Sequence, residues 1–124
     1  MLHAISGFDR GPRMRSTLAA VRAELGVGPH LYRFSAGSGA RDGEVTFVAC
    51  AFWLVSALHL TEQPDEAQAL MTQLLEQVPN DVGLMAEMLD PGTGDFLGNL
   101  PQGLSHLALI HAAITLAEPG DGAP

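Results

Sequence analysis

Met14, Leu18, Val21 and Leu25 recur four, three and four residues apart, which sets them on one face of a helix running from about Asp9. Gly26 follows directly and is the expected left-handed C-terminal cap. The next stretch, VGPHLYRFSAGSGARDGE, allows an extended LYRF and then a glycine-rich loop. VTFVACAFWLVSALHL is apolar nearly all round, so it predicts a buried second helix that needs neighbours on every side. Its Thr, Val and Phe also suit a strand, and the length of the run decides for helix. A third helix is expected from TEQPDEA, with Pro64 in the first turn and Asp65 and Glu66 complementing the dipole. Ala67, Leu70, Met71, Leu74 and Leu75 would be its apolar stripe. Leu84 to Asn99 reads as turns, QGLSHLALIHAAITLA as a fourth helix starting near Pro101, and residues 117–124 as a frayed tail.

Four helices predict an all-α chain of helical hairpins forming a single, partial domain over residues 1–124. With so few helices to cover the second one, part of its surface is expected to meet something outside the chain. Composition narrows the partners. Hydrophobic residues make up 47% and mean hydropathy is +0.18, which excludes disorder. Net charge is −8, with 14 acidic residues against six arginines and no lysine, so no nucleic-acid partner is expected. No run reaches the roughly 20 apolar residues of a membrane span. One cysteine, Cys50, leaves no internal disulfide, and the first residues lack a signal-peptide core; both predict a cytoplasmic protein.

Several chemistries fail on spacing. His106 and His111 are five apart, not the four of a helical zinc pair, so no metal is expected. Ser105 and His106 are adjacent and point about 100° apart, so they form no catalytic dyad. DPGTGDFLG has neither a lysine nor a convincing preceding strand for phosphate binding, and reads as a turn followed by a second chain reversal. Cys50 is expected to be structural, and no cofactor is implied. That leaves Glu87 among Leu84, Met85, Met88 and Leu89, a carboxylate that needs solvent on one side or a partner.

DVGLMAEMLDPGTGDFLGNLPQGLSHLALIHAA resembles the C-terminal part of glycoside hydrolase family 15, the glucoamylase-like and bacterial trehalase-like enzymes. There, an acidic loop ending in Asp-Pro-x-Thr-Gly runs into Leu-Gly-Asn-x-Pro-Gln-x-x-Ser-His. PRMRSTLAAVRAELG, LYRF and FVACAFWLVSALHLTEQPDEAQAL are similar to the preceding helices, so the resemblance covers about residues 8 to 115. It implies about one third of an (α/α)6 toroid and hydrolysis of an α-glucoside with inversion. Glu87 then matches the general base, and Arg33 a substrate-binding arginine. Inversion sets base and acid about 6.5–9.5 Å apart to admit a water.

The family's general acid lies upstream of anything present here. Glu44 stands in no matching motif, and Val45 replaces the glycine usual in bacterial members. The chain is therefore expected to be an inactive fragment on its own. Two alternatives are a split-enzyme subunit that needs a separate N-terminal portion or self-association, and a small non-catalytic helical interaction module.

Overall fold

A computed structural model of the chain describes residues 10–38 and 45–119. Glu44 and the last five residues of the tail lie outside them. Helix α1, Pro12–Leu25, opens with proline in its first turn and lays Leu18, Val21 and Leu25 half-buried against the core. Gly26 is not a left-handed cap. Its φ of −74° and ψ of 140° are extended, and it begins strand β1, Gly26–Val27. Glycine is required there for space, because a Cβ would lie 2.3 Å from the Arg22 carbonyl oxygen. β1 pairs with β2, His30–Leu31, in an antiparallel hairpin that turns through Gly28 at a φ of +55°.

The second apolar run divides. Thr46–Phe47 is strand β3, and only Val48–Leu60 is helix α2. β-branched and aromatic residues suit a pleated edge, and what fixes this one is pairing with β4, Met88–Leu89, in the register Thr46 to Leu89 and Phe47 to Met88. The Thr46 hydroxyl also donates to the Leu89 carbonyl at 2.7 Å. β5, Phe96–Leu97, completes an antiparallel sheet in the order β3-β4-β5. The fold is mostly helical, as the sequence predicts: the described residues hold four α-helices and one 3-10 turn, Ala36–Ser38, with five two-residue strands added to them.

α2 is central. Phe52, Val55 and Leu58 are fully buried, with α3, Pro64–Glu76, and α4, Gly103–Ala117, packed against it. α3 buries Ala67, Leu70, Met71 and Leu74; Leu75, at the edge of that stripe, is exposed. Arg15 to Glu62 at 2.9 Å and Arg22 to Glu66 at 2.7 Å tie α1 to the start of α3 across the surface. α4 begins after Gln102, not at Pro101, because Gln102 is still extended and its N–H reaches the Met85 carbonyl.

The uncovered apolar surface is not where the sequence pattern put it. Most of α2 is enclosed by its neighbours, whereas Leu104, Leu107, Ile110 and Ile114 of α4 are 43%, 65%, 54% and 57% exposed. They span about 120° of the helix circumference, on the side away from buried Ser105, Ala108, Ala112 and Thr115. No helix among the described residues is long and apolar enough to cross a membrane.

Candidate active site

Glu87 reaches its place through a segment whose backbone is held almost group by group. Asn80 shapes the approach: its Oδ1 accepts from the Val82 and Leu84 amides at 3.3 and 3.0 Å, and its Nδ2 donates to the Leu84 carbonyl. Met85 and Ala86 are then buried. The Met85 amide donates to His106 Nε2 at 3.1 Å, and the Met85 carbonyl accepts from the Gln102 amide at 2.9 Å. The Ala86 carbonyl accepts from the Ser105 hydroxyl at 2.7 Å. Glu87 itself donates its amide to Asn99 at 2.9 Å and accepts at its carbonyl from Val48 at 3.0 Å. The bonds to Met85 and Ala86 satisfy backbone groups that would be costly to bury unpaired.

The Glu87 side chain is half-buried, and its Oε2 accepts from the Asn99 amide at 3.4 Å. Such a carboxylate has solvent on one side and a fixed donor on the other. It can take a proton from a bound water. Behind it, β4 and β5 are joined by a turn in which Asp90 Oδ1 accepts from Gly92 at 2.8 Å and Gly94 donates to the Asp90 carbonyl at 2.8 Å. DPGTGDFLG is thus the turn of a β-hairpin preceded by a true strand.

Arg33 lies at the same end of the molecule. Its guanidinium stands 5.5 Å from the centre of the Phe47 ring and 6.0 Å from that of Phe34, within cation–π range. Phe47 is the residue paired with Met88, the neighbour of Glu87. A cleft of about 300 Å³ opens beside Arg33, lined by Tyr32, Cys50, Trp53 and Leu31. Burial pushes the Cys50 thiol up, which keeps it protonated and unreactive. A larger cavity of about 580 Å³ lies at the opposite end of α2, by His59 and Glu62, and contributes nothing to this site.

The histidines of α4 act separately. His106 faces the Glu87 segment, while exposed His111 sits with Nδ1 at 3.2 Å from Ser56 Oγ, bridging α2 and α4. Ser56 is fully buried, which denies it to any substrate. Among the described residues no three His, Cys, Asp or Glu side chains cluster as metal ligands would. Sequence reasoning singled out Glu87 and Arg33 as candidates but not Ser105 and His106 as the side chains that bond the backbone leading into Glu87. The signal was present in the Ser-His opening of the last helix, without any indication of which backbone it would touch.

Known proteins decide the relationship. The chain is 36% identical to the trehalase of Thermoplasma acidophilum over 107 residues, which is 86% of this chain and 18% of that protein. It is 39% identical to the trehalase of Mycolicibacterium smegmatis over 106 residues, and 38% to that of Mycobacterium tuberculosis over 106, in each case 83% of this chain. The chain is a homologue of part of a trehalase-like glycoside hydrolase domain. It spans 15–18% of the length of the curated relatives it matches. No family model matches the chain. No solved structure matches it either.

Proposed function

We propose that this chain is the C-terminal part of an inverting α-glucosidase, about one third of an (α/α)6 toroid, in which Glu87 is the general base and Arg33 binds the sugar. The carrying observation is the likeness to trehalases over most of the chain but less than a fifth of theirs. The general acid belongs to the portion outside the match, so the chain alone is inactive. Glu87, ionised, takes a proton from water as that water attacks the anomeric carbon, while the distant acid protonates the leaving oxygen. The guanidinium of Arg33 offers a planar fork of donors to sugar hydroxyls, and the relatives' name makes trehalose the first substrate to try. A reducing, cytoplasmic setting goes with the single Cys50.

The exposed face of α4 favours a further reading, that the remainder is a separately encoded subunit docking on Leu107, Ile110 and Ile114. Both readings place Glu87 in the same role. The test is a chimera in which the matched stretch of the Mycolicibacterium smegmatis trehalase is replaced by this chain. Trehalose joins two glucose units through both anomeric carbons. Inversion therefore releases one β- and one α-glucose per cleavage, seen by proton NMR before mutarotation. Release of α-glucose alone would mean retention and would remove the general-base role.

A further inference from the structure

Ser105 and His106 are the pair that spacing excludes as a catalytic dyad, and their side chains diverge as helix geometry requires. Yet they converge on one target. The Ser105 hydroxyl, fully buried, donates to the Ala86 carbonyl at 2.7 Å, and His106 Nε2 accepts from the Met85 amide at 3.1 Å. These are backbone groups of the two residues that lead into Glu87. One helical turn earlier, the Gln102 amide takes the Met85 carbonyl at 2.9 Å. The opening of α4 is therefore laid along the Glu87 segment like a splint.

We propose that Ser105 and His106 are positioning residues for Glu87, acting through the Met85–Ala86 backbone; the inference rests on the reading of Glu87 as the base. Their roles differ in kind. Ser105 supplies a donor to a carbonyl that would otherwise be buried unpaired. His106 must present a lone pair, because a backbone N–H can only donate, so Nε2 is unprotonated and the ring proton resides on Nδ1. The imidazole is thus held in one tautomer by the segment it supports. Downstream, Glu87 is pinned at its own amide by Asn99 and at its carbonyl by Val48, and the Asn99 amide reaches the carboxylate. A shift at Met85 has no slack in which to dissipate before residue 87, and catalysis is sensitive to displacements of about 1 Å.

The test is NMR on the full 124-residue chain labelled with nitrogen-15. Its first reading needs no variant: His106 should show an unprotonated Nε2, a protonated Nδ1 and a through-bond coupling from the Met85 amide to Nε2. A proton found on Nε2 overturns the proposal. The second reading compares His106→Leu, which has no acceptor, with His106→Gln, whose side-chain oxygen can reach the same point. Loss of one hydrogen bond in the Leu variant should speed exchange of the Met85 amide about tenfold and move the Asn99 amide resonance that reports on the carboxylate. The Gln variant should restore both. A Leu variant with an unmoved Asn99 resonance shows His106 to be packing alone, which also overturns the proposal. Neither readout involves hydrolysis. The expected spectra beside a chimera that stays active without Glu87 would remove the base assignment and leave the splint standing.

Discussion

Gly98 sits so close to Glu87 that a Cβ there would lie 2.8 Å from Oε2 and from the Met88 methyl, and its φ is +76°. The φ favours glycine, and an added Cβ would push aside the ends of two flexible side chains. Gly98→Ala should displace the carboxylate and destabilise the chain by about 1–2 kcal/mol, measured by urea unfolding; an unchanged midpoint would show that the loop yields freely. His30 carries a second residue-level prediction. It is buried, its Nε2 meets Gln77 Oε1 at 2.8 Å, and burial holds its imidazole below the ordinary value despite that bond. The unfolded chain therefore binds this proton first as pH falls below about 6.5, and stability should decline from there toward the folded-state value. His30→Asn should flatten that part of the profile of thermal midpoint against pH; an equally steep decline in the variant would place the proton uptake elsewhere. Glu87 was legible in the sequence because a run of specific neighbours surrounds it. The contact of His30 with Gln77 was not, since the partners are 47 residues apart and neither lies in a motif.

Among the elements, the helices were read well where their period was clean. α3 shows its stripe and its acidic first turn as expected, and only Leu75, at the stripe's edge, falls outside. The strands were hidden, because each is two residues long, and Thr46–Phe47 exists only through a distant partner, Met88–Leu89. Local pattern could not separate that strand from the apolar helix it joins. The same limit misplaced the exposed surface, since an all-apolar helix does not say which of its faces the fold will cover. α4 holds no charged residue from Gly103 to Ala117, which marks it as a helix meant for enclosure on both sides. Leu107→Glu with Ile114→Glu should lower self-association of the chain in size-exclusion chromatography and change stability by no more than about 0.5 kcal/mol. A large loss of stability with unchanged association would mean that this face is already packed.

At the scale of the whole molecule, one end of α2 gathers the two residues of this chain that the proposed chemistry uses. Phe47 and Val48 stand there, with Glu87 bonded to the second and Arg33 stacked on the first. The four-helix core does the holding, and the sheet and the opening of α4 set the carboxylate. The proposed reading, of a chain spanning less than a fifth of its relatives' length, accounts both for the apolar face on α4 and for a proposed base whose acid lies in the unmatched portion. The most direct measurement is the rate of glucose release from trehalose by the chimeric trehalase carrying this chain, with Glu87 and with Glu87→Gln, both confirmed as folded by circular dichroism. The account predicts a loss of kcat of about 10²–10⁴-fold with KM nearly unchanged. A Gln variant that retains full kcat would contradict it.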